Sequence, residues 1–63
     1  MNTTKRYYAP IKRYKTLEEQ MQAVYKQIKK QDNPKIATLH NNGLTDRIEG
    51  KTVYREFIAL LEF

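Results

Sequence analysis

The chain has 63 residues, with twelve basic and seven acidic side chains and no cysteine. A chain of this length forms one domain at most and buries only about 60% of its unfolded surface, and without cysteine it has neither disulfides nor thiolate metal sites. No apolar run approaches the roughly 20 residues of a membrane span, and none follows the basic N-terminus as in a signal peptide. We therefore expect a cytoplasmic protein that makes no membrane contact and that gains extra stability by homo-oligomerisation or from a partner.

The excess positive charge lies in residues 1–15, which hold five basic residues and no acid, while the remaining chain carries seven of each. Lysine and arginine neutralise phosphates, and tyrosine stacks on unpaired bases. The sequence therefore predicts a contact surface for RNA or DNA on this segment. The residues concerned are Lys5, Arg6, Tyr7, Tyr8, Lys12, Arg13, Tyr14 and Lys15. The alternative is a solvated basic strand face, with the first two tyrosines and Ile11 packed on the core.

Pro10 interrupts any helix through residues 5–14. Residues 1–15 are therefore predicted to form an extended arm or an edge strand, and residues 16–63 a single folded domain. Thr16 and Glu19 then have the spacing of a capping box. Apolar residues recur at helical spacing until Asn33 and Pro34 end the pattern, which predicts an amphipathic helix over about residues 16–31. The helix dipole alone accounts for the lysines near its end.

Two interpretations compete from residue 35 onward. Asn42 and Gly43 are typical of a tight hairpin turn that would join residues 36–41 to residues 44–49, and Gly50 would permit a bulge before residues 52–63, which are rich in β-forming residues. In the competing interpretation Pro34 begins a second helix. The sequence therefore predicts an α+β fold, with the helix packed on a small antiparallel sheet that has a hairpin near residues 42–43. The alternative is an all-α, three-helix domain like a helix-turn-helix protein.

The order of features from Leu17 to Leu61 carries a family resemblance. The helix begins with Leu17-Glu18-Glu19-Gln20, Pro34 precedes a segment that ends in Asn42-Gly43, and Gly50 precedes Phe57-Ile58-Ala59-Leu60-Leu61. This order resembles the bacterial Sm-like RNA-binding proteins, although the second motif of that family, with its Lys-His segment, is missing. The resemblance implies a bent sheet behind a helix, assembly as a ring or dimer, and RNA-contact positions at Gln20 and Phe57.

Catalysis needs side chains that converge on one point, and the sequence offers no such set. His40 is the only histidine, and Gly50-Lys51-Thr52 matches only the end of a phosphate-binding loop. We predict a non-enzymatic protein without metal or cofactor that binds nucleic acid, in a regulatory role. The alternative is a protein-interaction module, such as an inhibitor or adaptor of a bacterial or mobile-element protein, or a binder of an acidic protein. Its interaction surface would be the apolar residues Phe57, Leu60, Leu61 and Phe63.

Overall fold

The computed structural model describes residues 2–47 and 52–63, which form a three-stranded antiparallel sheet with one helix packed on it. The elements are β1 (Asn2–Pro10), α1 (Leu17–Gln31), β2 (Ile36–Arg47) and β3 (Thr52–Glu62). The strand order is β1-β3-β2, and both outer strands pair antiparallel to β3. The predicted α+β fold with one helix on an antiparallel sheet is therefore confirmed, and the all-α alternative is wrong.

Helix α1 begins and ends at local signals in the sequence. The Thr16 hydroxyl oxygen accepts a hydrogen bond from the Glu19 backbone N–H at 3.1 Å, and the Glu19 carboxylate accepts from the same hydroxyl at 3.1 Å. At the other end, the backbone N–H groups of Asp32 and Asn33 both donate to the Ile28 carbonyl. Asn33 has a φ of 46°, a left-handed conformation that asparagine tolerates at a helix end.

The core lies between α1 and one face of the sheet. β3 contributes three fully buried side chains, and β1 and α1 contribute two each. These residues are Tyr7, Ala9, Val24, Ile28, Phe57, Ala59 and Leu61. Tyr14, Met21, Ala37 and Leu39 are partly buried and pack around them. The core is small because the sheet has only three strands and three of its inward side chains are alanine.

The predicted hairpin turn at Asn42 and Gly43 is wrong, because both residues lie inside β2. The register with β3 shifts by one residue between Asn41 and Leu44, which is a β-bulge. Gly43 has a φ of 86°, and its N–H donates to the Asn41 side-chain oxygen at 2.9 Å. The Asn42-Gly43 dipeptide, which permits a positive φ, therefore forms a β-bulge instead of a hairpin turn. The bend predicted at Gly50 lies outside the described residues.

The face of the sheet opposite α1, here called the open face, follows from the alternation of side chains along a strand. Tyr7 and Ala9 point toward α1, so the intervening residues of β1 point away from it. The strand register aligns those residues with the even-numbered residues of β3 and of the first part of β2. The open face therefore includes Thr4, Arg6, Tyr8, Tyr54, Glu56, Ile58, Leu60, Thr38 and His40.

We expect Gly43→Ala to destabilise the protein by about 1 kcal/mol, because an L-residue with a side chain resists this left-handed conformation. A Cβ at Gly43 would meet no atom within 4 Å, so the loss should come from the backbone alone. The measurement is urea unfolding followed by circular dichroism. Gly43→Asn is the matched control, since asparagine adopts positive φ more readily, and it should cost clearly less. Equal losses for the two variants would contradict a backbone origin.

Candidate nucleic-acid interface

The basic segment of residues 1–15 forms β1 and the turn that follows it. The turn begins where the Ile11 N–H donates to the Val53 carbonyl at 3.2 Å, and it closes where the Tyr14 N–H donates to the Pro10 carbonyl at 3.0 Å. Lys12 and Arg13 lie between these two hydrogen bonds, and both are exposed. The turn therefore holds two adjacent cations at the end of the sheet.

Lys5 and Tyr7 are joined to the end of α1 through Asp32. The Lys5 ammonium donates to the Asp32 carboxylate at 2.8 Å, and the Tyr7 hydroxyl donates to the same oxygen at 3.0 Å. These two hydrogen bonds lower the pKa of Asp32, and the one from Lys5 raises the pKa of the lysine. Burial of the ring, together with its bond to Asp32, raises the pKa of Tyr7. Both side chains thus tie β1 to α1.

Arg6 and Tyr8 lie on the open face, next to Glu56 of β3. Tyr8 and Glu56 are direct partners in the strand register. Hydrogen bonds from Asn42 and Tyr8 lower the pKa of Glu56, and the nearby charge of Arg6 lowers it further. The Glu56 carboxylate therefore links the side chains of Tyr8 on β1 and Asn42 on β2. Arg6 itself is exposed.

Tyr14 and Arg13 form a small stacked unit at the start of α1. The Arg13 guanidinium lies 5.6 Å from the centre of the Tyr14 ring, within the range of a cation–π contact. The Tyr14 ring packs against the edge of the core, and its carbonyl accepts from the Gln20 side chain at 2.7 Å. Tyr14 therefore positions the turn, while Arg13 and the neighbouring Lys15 remain exposed.

We define the basic stripe as the four exposed cations of this segment that form no ion pair with a described residue, together with two tyrosines of the open face. It runs along β1 on the open face and ends on the turn. Tyr54 belongs to it because Tyr54 is the register partner of Pro10, the last residue of β1. The members of the basic stripe are Arg6, Tyr8, Tyr54, Lys12, Arg13 and Lys15. The stripe combines four exposed cations with two half-buried tyrosine rings.

A groove of about 500 Å³ follows the outer edge of β1, between this strand and the second half of α1. We call it the edge groove. It shares three residues with the basic stripe and adds two glutamines from α1, one of which donates to the Tyr8 carbonyl at 3.5 Å. The residues that line the edge groove are Lys5, Arg6, Tyr7, Tyr8, Gln27, Gln31 and Tyr54.

The structure separates the residues that the sequence grouped together. Tyr7 is only 5% exposed, so the predicted nucleic-acid contact of its ring is wrong. Lys5 forms an ion pair with Asp32. The predicted apolar surface is half wrong as well. Phe57 and Leu61 are fully buried beneath α1, whereas Leu60 and Phe63 are about half exposed. The errors have one cause, because alternation along a strand sends neighbouring residues to opposite faces.

Several site residues were not found from the sequence. Tyr54 and Gln27 reach the candidate surface only through pairing and packing between distant segments, for which the sequence carries no local signal. Arg55 donates to the Gln20 side-chain oxygen at 2.6 Å and to that of Asn41 at 3.2 Å. This arginine links α1 to the sheet and is turned away from the open face. Gln20 is 2% exposed, and neither it nor Phe57 can contact RNA in this structure.

The part of the chain that the structure describes has no group of three or more histidine, cysteine, aspartate or glutamate side chains able to hold a metal ion. His40 is exposed on the open face. Helix α1 has 15 residues, and no helix among the described residues is long and apolar enough to cross a membrane. Comparison with models of protein families, with curated proteins and with solved structures found no match to this chain.

Acid should weaken the fold through Asp32. Its pKa lies below the ordinary 3.8, so its stabilising contribution is complete above that value and is lost as the pH falls through the lowered pKa. Asp32→Asn should remove this contribution. We expect the variant to be less stable at neutral pH and to lose less thermal stability than the parent between about pH 5 and about pH 2. Thermal unfolding followed by circular dichroism measures both.

Glu56→Gln is the matched control for this acid effect. Glu56 also has a lowered pKa, so it contributes separately, and the control should retain the part of the acid sensitivity that comes from Asp32. A parent and an Asp32→Asn variant with parallel acid profiles would show that the contacts with Lys5 and Tyr7 do not stabilise the carboxylate in solution.

Proposed function

We propose that this protein is a non-enzymatic nucleic-acid-binding protein of the cytoplasm, with a regulatory role. The basic stripe is the observation that carries the proposal. Arg6, Lys12, Arg13 and Lys15 contact phosphates, and Tyr8 and Tyr54 stack on bases. The six residues are close together in the fold because β1, the turn after it and the start of β3 are adjacent.

The charge of the basic stripe supports this proposal. Each phosphate neutralised by lysine or arginine releases counterions, and this release provides most of the sequence-independent affinity for nucleic acid. The acids of the surface are already engaged nearby: Asp32 with Lys5, and Glu56 with Asn42 and Tyr8. Among the described residues, none of the four cations of the basic stripe makes an ion pair within 4 Å, although Arg6 lies near the Glu56 carboxylate. Their charge is therefore available to a polyanion.

The two tyrosines give the surface a second mode of contact. Tyr8 and Tyr54 come from neighbouring strands, and their register places them diagonally across the β1–β3 pair, within reach of each other for long side chains. Aromatic rings on an open sheet face stack on unpaired bases of any sequence. The combination favours a strand of nucleic acid that runs along β1, with its phosphates at Arg6 and at the turn.

Removing the two cations of the turn and the neighbouring Lys15 should weaken nucleic-acid binding and its dependence on salt. In the variant Lys12→Ala/Arg13→Ala/Lys15→Ala, we expect the slope of log affinity against log salt to fall by about two to three, because each lost phosphate contact reduces it by about one. The measurement is fluorescence anisotropy with a labelled oligonucleotide over a series of salt concentrations.

The matched control for the turn variant is Lys26→Ala/Lys29→Ala/Lys30→Ala, which removes the same charge from the exposed side of α1 near its C-terminus. Lys29 and Lys30 lie in the last turn of α1, where they complement the helix dipole, and none of the three lysines belongs to the basic stripe. This control should keep most of the salt slope. Equal slopes for the two variants would show that the protein binds by net charge alone, and no binding by the parent at low salt would refute the proposed function.

Replacing Tyr8 by alanine should weaken binding to a single-stranded oligonucleotide about tenfold, which is within the usual range for the loss of one stacked base. The affinity is measured by anisotropy at fixed salt. Tyr25→Ala is the control, because Tyr25 is an exposed tyrosine that lies on α1, and this variant should bind as the parent does. If both variants bind like the parent, the tyrosines of the open face are not part of the interface.

A further inference from the structure

β1 is an edge strand, and the direction of its backbone groups can be read from one hydrogen bond. The Ile11 N–H donates to Val53 of β3, in the same register as the pair Ala9 and Arg55. In an antiparallel pair, alternate residues exchange backbone hydrogen bonds with the partner strand, and the residues between them direct their N–H and C=O groups outward. The even-numbered residues of β1, among them Thr4 and Arg6, therefore point these groups away from β3.

The position of Pro10 is consistent with the outward direction of the even-numbered backbone groups. Pro10 ends β1 at an even-numbered position, where its missing N–H removes no hydrogen bond to β3. Ahead of it, the outward backbone groups of Arg6 face the edge groove, where α1 forms one wall through Gln27 and Gln31. Gln27 donates to the Tyr8 carbonyl at 3.5 Å, which is a long and weak hydrogen bond. A better donor could replace it.

We infer that the edge groove binds an extended acidic peptide, which adds to β1 as a fourth strand of the sheet. An exposed strand edge is a template for another strand, and recognition by strand addition takes its affinity from main-chain hydrogen bonds. This inference goes beyond the proposed function, because the peptide meets the backbone edge of β1, whereas nucleic acid meets side chains on the open face and the turn.

The charge of the residues that line the edge groove indicates which kind of strand would bind there. Lys5 and Arg6 both line the edge groove, and no acidic residue is among the described residues that line it. Asp32 is paired with Lys5, while Glu56 lies near Arg6 but is hydrogen-bonded to Asn42 and Tyr8, so the charge of Arg6 is offset only in part. A second copy of the chain would set the same lysine and arginine against themselves, and like charges across a strand pair are destabilising. An acidic segment of another protein meets complementary charge instead.

The two faces of the added strand meet different surroundings. Side chains on one face would lie beside Arg6 and Tyr8 on the open face, where glutamate or aspartate is favoured. Side chains on the other face would meet Lys5, which is already paired with Asp32, and the aliphatic parts of Gln27 and Gln31, so a neutral residue of moderate size is favoured there. The expected ligand therefore alternates acidic and neutral residues, as an amphipathic strand does.

The probe is a fluorescein-labelled, eight-residue peptide of alternating glutamate and valine, and its binding to the full chain is followed by anisotropy. Two further peptides have the same sequence and are N-methylated at alternate residues, one at the odd-numbered positions and the other at the even-numbered positions. N-methylation leaves the charge unchanged but removes the donors that a strand needs. We expect the parent peptide to bind and the phase that blocks pairing with β1 to bind at least about tenfold more weakly, which is the effect of losing roughly one well-placed hydrogen bond.

Arg6→Ala and Arg6→Pro form the matched pair on the protein side. Both remove the guanidinium, but only proline removes the outward N–H, and at this phase of an edge strand it leaves the hydrogen bonds to β3 intact. We expect Arg6→Pro to bind the peptide roughly tenfold more weakly than Arg6→Ala. Circular dichroism and urea unfolding verify that both variants are folded. In the parent, hydrogen exchange of the Arg6 amide should slow when the peptide binds.

Four results would overturn the inference. The first is equal affinity of the unmethylated peptide and of both N-methylated peptides, which would mean attraction by charge alone. The second is equal peptide affinity of the two Arg6 variants. The third is a dimer in sedimentation that Arg6→Pro converts to monomer, because the edge would then hold a second copy. The fourth is an oligonucleotide whose affinity falls from Arg6→Ala to Arg6→Pro, because the groove would then hold nucleic acid. Failure of the oligonucleotide to bind at all would refute the proposed function without changing the peptide result.

Discussion

Phe57, Ala59 and Leu61 lie on the central strand and are fully buried beneath Val24 and Ile28 of α1. Replacing a buried phenylalanine by alanine costs roughly 3–5 kcal/mol, a large share of the roughly 5–15 kcal/mol that stabilises a whole domain. The core thus fixes the register and orientation of β3. Because side chains alternate along a strand, it also fixes which residues of all three strands reach the open face.

The same constraint explains how β1 can be a structural strand and a candidate binding surface at once. Its inward side chains, Tyr7 and Ala9, complete the core, and the Tyr7 hydroxyl joins Lys5 at Asp32 just beyond α1. These contacts hold the edge strand in place from the helix side. The opposite side chains, Arg6 and Tyr8, are then presented on a fixed backbone, which lowers the entropic cost of binding compared with a mobile arm.

The sequence predicts those features that depend on neighbouring residues, and it does not predict those that depend on contacts between distant segments. Helix α1 was predicted almost to the residue because its start at Thr16 and its end at Asn33 are set by local capping. The basic segment was also recognised, since charge is a property of composition. The sequence could not show which of its residues face outward, because that depends on pairing with β3, a strand more than forty residues away. The hairpin turn was wrongly predicted at Asn42 and Gly43 for a related reason, because a residue with positive φ occurs in bulges as well as in turns.

The three directions in which β1 can make contacts are separate. Its side chains point alternately toward α1 and toward the open face, while its outward backbone groups lie in the plane of the sheet. The core uses the first direction, the basic stripe uses the second, and the edge groove uses the third. Lys5, Arg6 and Pro10 are residues of the kind that protect strand edges from pairing with copies of themselves. A positive charge that discourages self-pairing attracts an acidic strand, so protection of the edge and selection of a partner follow from the same side chains.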